Sequence, residues 1–411
     1  MWQKILLGGL LAWLMSCAHE PAATAPSLAA GRWRFVLQLA PEVALPFIAE
    51  LTQQGAGYGL TIHNAEERLP VDTVLLRGDS VRIRLAVFDS EFRGTWLDST
   101  HLQGHWHDYS RGADYAIPFT ATRSEAPRLA SQGTSAQLAS RYAATFSPGT
   151  EAAYPAVGTF AQQQAQVTGT FLTETGDYRY LDGAVDGDTL RLSAFDGSHA
   201  FLFTAAVAGD SLRDGVFYSG NHWREPWGAV ADPDAALRDP DALTYLKPGY
   251  DSLAFAFPNQ AGERVALSDP RFQDKVVIVQ LLGSWCPNCM DETRLFAHWY
   301  DRYHAQGLEI IGLAFERAGD SATAWRSLAR MRDALEVHYP ILLAANSPKK
   351  TDAAAALPML NHVMSFPTSI YLDRDGQVRK VHTGFYGPGT GAPYLRFVEQ
   401  YEAFLQELLA E

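Results

Sequence analysis

Hydrophobic and polar residues alternate in short runs from Gly31 to about Trp227. Residues 81–87 and 200–205 belong to such runs, and aromatic residues and Gly-Asp turns are frequent around them. Successive side chains of a strand point to opposite faces, so this pattern is typical of antiparallel β-structure with one buried face. We therefore predict an all-β N-terminal region.

The β-rich region contains an internal duplication. At a constant offset of 109 positions, Gly31-Arg32-Trp33 recurs as Ser140-Arg141-Tyr142, Ala44-Leu45-Pro46 as Ala153-Tyr154-Pro155, Leu51 as Phe160, and Gly78-Asp79-Ser80-Val81-Arg82-Ile83 as Gly187-Asp188-Thr189-Leu190-Arg191-Leu192. We predict β-units at residues 31–122 and 140–230, joined by a polar connector at 123–139. With five or six strands each, the two units could close into one barrel or face each other as a sandwich.

The pattern changes after a linker at residues 231–247, which contains two Asp-Pro steps. Residues 252–268 predict a β-hairpin. Runs rich in apolar residues predict strands at 275–282, 308–315, 368–372 and 378–382, and helical spacing predicts helices after Pro287, at 320–337 and at 394–409. Strands that alternate with helices predict a layered α/β domain over residues 248–411.

Two of the three cysteines, Cys286 and Cys289, lie where the strand at 275–282 passes into a helix. Pro287 suits an early helical position, where a backbone N–H is not needed. The helix N-terminus stabilises a thiolate on the first cysteine, and the second lies one turn further on. A pair placed in this way can open and close a disulfide.

Further motifs follow this pair in a recognisable order. They are Lys275-Val276-Val277, Gly283-Ser284-Trp285-Cys286, Cys289, Glu292 three residues later, Phe366-Pro367-Thr368, Gly376 and Gly384. Together they resemble the TlpA/ResA-like branch of the thioredoxin superfamily, over about two-fifths of the chain. β-rich regions like the one predicted here often precede such domains in bacterial lipoproteins.

The resemblance implies a set of roles for these residues. Cys286 would be the exposed nucleophile and Cys289 the resolving cysteine, so the redox-active disulfide replaces any separate cofactor. Glu292 would exchange a proton with Cys289 if it is partly buried. Gln280 stands where ordinary thioredoxins carry a titratable aspartate. The proton transfer that this aspartate serves is therefore absent here or uses another residue. The residues implied in client binding are Trp285, Pro287, Phe366, Pro367 and Thr368, with a cis bond before the second proline and an added client strand.

Three other kinds of site are disfavoured by the residues present, and two simpler interpretations stay open. A zinc site needs four ligands and the folded chain offers one cysteine pair, while covalent haem needs a histidine where Met290 stands. Gly283 occupies the position where a peroxiredoxin carries Thr or Ser. The pair would also be compatible with a permanent structural disulfide, and Glu292 with a favourable charge in a first helical turn.

A histidine cluster in the first β-unit is the remaining candidate for a metal site. Its members are His101, His105 and His107. The last two share one face of a strand, which fits a metal or sugar site or simply a polar outer face opposite Trp106. Without an acidic or cysteine partner nearby we predict no metal.

The chain begins with Lys4, an apolar run over residues 5–15, and Cys17. This run is too short to span a bilayer and predicts a signal peptide at residues 1–16. Leu14-Met15-Ser16-Cys17 resembles a bacterial lipobox, which implies lipidation of Cys17, a tether at 17–30 and a place in the cell envelope facing the periplasm. Ala18 lacks the acidic retention signal, which favours the outer membrane. An ordinary signal peptide with an incidental cysteine is the alternative.

The net charge argues against two kinds of partner. Removing residues 1–16 takes away one lysine, so the charge becomes 32 − 46 = −14 at pH 7. An acidic chain does not favour nucleic acid or adhesion to anionic lipid by charge.

Two functions remain at this stage. The first is a lipid-anchored thiol-disulfide oxidoreductase that reduces protein disulfides and receives electrons from a membrane thiol carrier. The alternative is an envelope lipoprotein that binds a ligand or partner and whose cysteine pair is a structural disulfide.

Overall fold

The computed structural model describes residues 28–55, 57–131 and 135–411. The predicted signal peptide and Cys17 lie outside these residues. In the described chain, two antiparallel β-barrels precede a mixed α/β domain of the thioredoxin type, and the predicted fold class is confirmed.

Eight strands of the first copy close into a barrel. They are β1 Gly31–Ala40, β2 Val43–Gln54, β3 Gly57–Asn64, β4 Glu67–Arg77, β5 Ser80–Leu85, β6 Ser90–Asp98, β7 His101–Asp108 and β8 Ala116–Arg123. Closure comes from β1, which pairs with both β2 and β8. Along β5 exposed and buried residues alternate strictly, and Trp33, Phe35, Phe92 and Trp106 fill the interior. Burial of these rings supplies the main free energy that holds the barrel together.

The second copy forms a barrel of its own. Its strands are β9 Arg141–Phe146, β10 Tyr154–Gln163, β11 Gln166–Thr173, β12 Gly176–Asp177, β13 Leu181–Asp186, β14 Thr189–Phe195, β15 Ala200–Ala208, β16 Ser211–Ser219 and β17 Trp223–Ala231. The ring closes because β10 pairs with both β9 and β11. The short β12 pairs with β11 at the rim, which leaves eight strands in the ring.

The structure confirms the duplication and revises the number of strands. The bounds of β3, 57–64, shifted by 109 give those of β11, 166–173. Each copy has eight strands in its ring rather than the five or six expected. A copy with eight strands can enclose its own core and leave no open edge, so each copy closes separately.

The connector between the copies joins the two barrels through a buried arginine. Arg128 donates to the carbonyl of Ser193 at 2.8 Å and to Oδ1 of Asn64 at 3.1 Å, and forms an ion pair with Asp182 at 3.3 Å. Burial lowers the pKa of Arg128 to about 10, so the group stays charged at neutral pH. The Phe195 ring of the second barrel stacks on Phe47 of the first, with ring centroids 4.5 Å apart. The two barrels therefore share both polar and apolar contacts.

The α/β domain is built on a five-stranded sheet in the order β22-β21-β20-β23-β24. A hairpin of β18 Ala256–Pro258 and β19 Arg264–Ala266 precedes it, and the sheet strands are β20 Val276–Leu282, β21 Leu308–Phe315, β22 Ile341–Ala345, β23 Thr368–Leu372 and β24 Val378–Thr383. The helices are α1 Pro287–Tyr303, α2 Ser321–Ala334, α3 Lys350–Ala356 and α4 Ala392–Ala410. β22 and α3 are additions to the elements predicted from sequence.

The central strands of this sheet position the cysteines. Every residue of β20 and of β21 is buried, as in parallel strands covered on both faces. α1 connects these two parallel strands, so its N-terminus lies at the carboxyl end of β20. None of the helices in the described ranges has the length and apolar character that crossing a membrane requires.

We expect Arg128→Met to destabilise the barrel pair by about 3 kcal/mol, because it leaves Asp182 and buried carbonyl oxygens without their cation. Urea denaturation followed by tryptophan fluorescence measures this change. Arg191→Met, on the exposed face of β14, is the matched control and should stay within about 0.5 kcal/mol of the native protein. Equal effects of the two substitutions would contradict the role given to Arg128.

Candidate active site

The cysteine pair lies at the start of α1 and forms a disulfide. Cys286 is the N-cap residue of the helix, and its Sγ accepts a hydrogen bond from the backbone N–H of Cys289 at 3.2 Å. Pro287 is the first residue of the helix, as its position in the sequence predicts. The helix dipole and this N–H would both stabilise negative charge on Cys286 in the reduced form.

The predicted client-binding residues surround this disulfide. The Phe366–Pro367 peptide is cis, as the resemblance implied, and the carbonyl oxygen of Phe366 lies 3.6 Å from Sγ of Cys286. Thr368 is buried at the start of β23 and its hydroxyl donates to the carbonyl of Ser365 at 2.8 Å. The loop therefore presents main-chain atoms to the first cysteine.

Trp285 lies next to the first cysteine and forms a wall beside the disulfide. Its indole N–H donates to the carbonyl of Phe315 at 2.9 Å, and its ring meets the Phe366 ring edge to face at 6.0 Å. The Arg317 guanidinium lies 4.4 Å from the centre of the same ring. These contacts fix the orientation of an aromatic wall beside the disulfide.

Glu292 lies one turn after Cys289 on α1 and is completely buried. Burial raises its pKa to about 8, although the hydrogen bond from Gln280 partly opposes the shift. The Gln280 amide donates to Oε2 of Glu292 at 2.8 Å and accepts from Thr293 and Tyr339, each at 3.2 Å. Gln280 does not titrate, but it holds the buried carboxyl of Glu292 in place.

The structure corrects one expectation about Cys286. The sequence predicted an exposed nucleophile, whereas Cys286 is 7% exposed and Cys289 is 0% exposed. Loops of both barrels also pack against this end of the α/β domain. Ser198 of the second barrel donates to the carbonyl of Trp285 at 3.1 Å, and Asp89 of the first barrel forms an ion pair with Arg330 of α2 at 3.1 Å.

A segment of the second barrel, residues 173–179, makes the closest approach to the site. Gly387 donates its N–H to Oδ2 of Asp177 at 2.7 Å, and Asn288, between the two cysteines, donates to the Asp177 carbonyl at 3.3 Å. Ser365, next to the cis peptide, donates to the carbonyl of Thr175 at 2.7 Å. We call these seven residues the cover segment.

One buried arginine of the cover segment joins all three parts of the chain. Arg179 forms ion pairs with Glu67 of the first barrel at 2.7 Å, with Asp196 of the second barrel at 3.3 Å and with Asp291 of α1. Burial disfavours its charged form, but the surrounding carboxylates outweigh burial and raise the pKa of Arg179. Burial also raises the pKa of Asp177 to about 6.

Sequence reasoning missed the cover segment because it lies in a different domain from the cysteines. One signal was present in the duplication. At the offset of 109, Arg179 corresponds to Pro70 and Gly176 to Glu67, and the continuous β4 of the first copy corresponds to the interrupted pair β12 and β13. The second copy therefore departs from the first at the residues that contact the active site.

An interdomain cavity of about 570 Å³ opens beside the Cys-x-x-Cys turn. Pro287 and Met290 of α1 form part of its wall, and Leu85, Phe88 and Leu335 contribute further apolar surface. Arg179 lies at its edge. Ligand cavities of this kind combine apolar walls with a few polar groups.

The predicted histidine cluster lies on β7 of the first barrel. His105 and His107 share one side of β7 with ring centroids 6.3 Å apart, while Trp106 is buried on the other side. Within residues 28–55, 57–131 and 135–411, no group of three or more histidine, cysteine or acidic side chains could hold a metal ion.

Comparison with known proteins points to the same part of the chain. The model of the AhpC/TSA family matches residues 248–381. A thiol-disulfide oxidoreductase ResA of Bacillus thuringiensis is 25% identical over 130 residues, which are 32% of this chain and 66% of that protein. The thiol:disulfide interchange protein DsbE of Pseudomonas aeruginosa is 26% identical over 141 residues, 34% of this chain and 69% of that protein. The matches thus span about two thirds of these relatives.

Two solved structures resemble the chain over a similar share. A thioredoxin-family thiol:disulfide interchange protein of Chlorobium tepidum covers 43% of this chain and 99% of its own, with 15% identity and a TM-score of 0.30. StoA of Bacillus subtilis covers 38% of this chain and 98% of its own, with 19% identity and a TM-score of 0.27. The family model and the curated relatives identify the C-terminal part as an AhpC/TSA thioredoxin-like domain, distantly related to the ResA and DsbE oxidoreductases and preceded here by two β-barrels.

Proposed function

We propose that this protein is a thiol-disulfide oxidoreductase that reduces protein disulfides in the bacterial cell envelope. The observation that carries the proposal is the Cys286–Cys289 disulfide at the β20–α1 junction, with the first cysteine capping the helix and facing the Phe366–Pro367 loop. A helix N-terminus lowers the pKa of a cysteine beside it and so raises the fraction of reactive thiolate.

The reaction consists of two exchanges. In the reduced enzyme the Cys286 thiolate attacks a client disulfide, forms a mixed disulfide and releases one client thiolate. The Cys289 thiolate then attacks Sγ of Cys286, releases the second client thiolate and closes the Cys286–Cys289 bond. Two electrons pass to the client, whose two thiolates take up protons. A dithiol donor, which we propose to be a membrane thiol carrier, reduces the enzyme again.

Glu292 is proposed to take the proton from Cys289 as the second exchange begins. At neutral pH a carboxyl with a pKa of about 8 is ionised in a minority of molecules, and this carboxylate form is the one that accepts the Cys289 proton. Its place on α1, three residues after Cys289, puts both groups on the same side of the helix. The Gln280 amide fixes its orientation.

Client recognition is proposed to use the residues around the disulfide. Phe366, Pro367 and Thr368 would offer main-chain groups to an extended client segment, and Trp285 and Pro287 would form its side walls. Lipidation of Cys17 would anchor the protein to the bilayer, with its domains in the periplasm and the outer membrane as the favoured site.

A second candidate function rests on a different observation. The disulfide is almost completely buried, which would suit a structural bond in a protein whose barrels bind a ligand or partner. In that case the bond would not exchange under conditions that reduce thioredoxins.

The reduction potential of the Cys286–Cys289 couple separates the two functions. Equilibration in dithiothreitol or glutathione buffers with a mass-tag readout should give a value near or below about −250 mV, as in thioredoxin. A value of about −120 to −180 mV would indicate an oxidase or isomerase instead. A bond that stays closed until the protein unfolds would favour the structural role.

Substitution of each cysteine gives a second test. We expect Cys286→Ser to abolish disulfide exchange, because the attacking thiolate is gone. Cys289→Ser should accumulate a mixed disulfide with the client, because the resolving thiolate is missing. Mass spectrometry of the trapped complex measures this. If Cys286→Ser also accumulates the complex, the assigned order of attack is wrong.

We expect Glu292→Gln to change the pH dependence of stability. The pKa of Glu292 is raised from 4.5 to about 8 in the folded protein, so the folded state binds this proton more tightly than the unfolded chain. The stabilisation is complete below about pH 4.5 and is lost as the pH rises towards 8, by about 1.4 kcal/mol per unit of pKa shift. The amide variant should not show this loss and should exceed the native protein in stability at pH 8.5.

Urea denaturation at pH 5 and pH 8.5 measures the difference between these two proteins. Glu399→Gln, on the exposed surface of α4, is the matched control and should follow the native protein at both pH values. The same pH dependence in Glu292→Gln and in the native protein would show that Glu292 titrates normally. The rate at which a mixed disulfide is resolved should also fall in Glu292→Gln near neutral pH if the carboxyl accepts the proton of Cys289.

A further inference from the structure

The cover segment lies against the surface of the α/β domain that the proposed function assigns to the client. Its contacts come from three places around the disulfide: Asn288 in the Cys-x-x-Cys turn, Ser365 before the cis peptide, and the loop at residues 384–387. A thiol-disulfide oxidoreductase must present this same surface to its partner. In the closed structure another part of the same chain fills it.

The approach is close at two glycines that face each other across the contact. A Cβ added to Gly384 would lie 2.9 Å from the carbonyl carbon of Thr175, which is closer than real side chains allow. A Cβ added to Gly176 would collide with the side-chain amide of Asn288. The backbones of the two domains therefore touch with no room for side chains between them.

Beside the Asp177 carboxylate and the Arg179 guanidinium, the cover segment offers main-chain carbonyls that any extended chain can supply. The carbonyl oxygens of Thr175 and Asp177 accept hydrogen bonds from Ser365 and Asn288. The carbonyl of Thr173 accepts from the Tyr386 hydroxyl at 3.0 Å. An extended client segment could satisfy the same donors, since recognition of extended peptides relies mainly on main-chain hydrogen bonds.

The covalent connection between the barrels and the α/β domain permits the two parts to separate. On the barrel side, Arg141 donates to the carbonyl of Ala235 at 2.9 Å. On the other side, the Asp241 carboxylate contacts Nδ1 of His382 at 2.7 Å. Between these anchors the chain passes through Asp239-Pro240, so the linker can act as a hinge while both ends stay attached.

We propose that the cover segment occupies the client-binding surface as an internal substitute for the client, and that the barrels must swing away before exchange with a protein. The partner that fits the opened surface is an extended protein segment that replaces the carbonyl acceptors of Thr175 and Asp177. This inference rests on the proposed function, because it concerns the regulation of the same site. The exchange reaction itself is unchanged.

The test measures access to the disulfide and not turnover. In the full-length folded protein, the Cys286–Cys289 bond is reduced by dithiothreitol or by a reduced thioredoxin, and free thiols are counted over time by mass tagging. We expect Gly176→Ala to speed reduction by the protein reductant about tenfold or more, because the added Cβ displaces the Asn288 amide from its hydrogen bonds to the Asp177 and Phe385 carbonyls and so shifts the population towards the open form. The rate of reduction by dithiothreitol should increase by a smaller factor.

The matched control is Gly112→Ala. Gly112 has a positive φ of 128°, similar to the 141° of Gly176, and a Cβ there would meet no heavy atom within 4 Å. The control therefore adds comparable backbone strain without touching the α/β domain, and its reduction rate should equal that of the native protein.

A gentler variant guards against misfolding of Gly176→Ala. Tyr386→Phe removes one hydrogen bond to the cover segment and no volume from the core, and should speed reduction by about two- to tenfold. Tyr245→Phe, at an exposed tyrosine, is its control. Unchanged reduction rates in both Gly176→Ala and Tyr386→Phe would overturn the inference.

The two proposals fail in different ways. If the opened variants are reduced faster but neither they nor the native protein pass electrons to a client disulfide, closure is real and the oxidoreductase function is wrong. If the native protein reduces clients at the same rate as the opened variants, the function holds and the internal substitute is wrong.

Discussion

The arrangement of the whole molecule depends on the buried guanidinium of Arg179. An ion removed from water costs several kcal/mol unless its partners are well placed, and here the partners come from three separate bodies. Glu67, Asp196 and Asp291 belong to the first barrel, the second barrel and the helix that carries the cysteines. Because no single domain can supply all three carboxylates, the ion pairs exist in full only when the barrels are seated on the α/β domain.

This dependence links closure to the chemistry of the cysteines. Asp291 lies two residues after Cys289, so the helix that caps the active site also holds the barrels in place. The contacts around Arg179 and Asp177 are mainly polar, and polar interdomain interfaces separate more readily than apolar cores. Glu292, by contrast, sits within the α/β domain with its Gln280 partner, so its proton exchange does not require the barrels.

Periodic patterns predicted much of the fold from sequence. Hydrophobic and polar residues alternate along many strands, such as β5, and many residues match at the offset of 109. Local irregularities therefore did not obscure either pattern. The strand number was underestimated because a run such as residues 57–64 is short and only partly alternating. β22 and α3 were missed because five apolar residues or seven residues rich in alanine fit several structures equally well without their tertiary context. The cysteine pair and the cis peptide before Pro367 were predicted from one compact group of motifs. The sequence left the burial of Glu292 open, because the first turns of helices favour acidic residues whether or not they are buried.

The duplication shows how the cover segment differs from its counterpart in the first copy. In the first copy, β4 runs without interruption from Glu67 to Arg77 and serves only its own barrel, apart from the Glu67 carboxylate at its start. In the second copy the corresponding stretch breaks after Asp177, and Arg179 turns away from the barrel ring towards α1. A barrel already closed by eight strands can lose a few rim pairings at little cost, because its core residues remain enclosed. The second barrel therefore has a contact with the redox domain in place of the regular end of one strand, whereas the first copy, which supplies Glu67, has a continuous strand there.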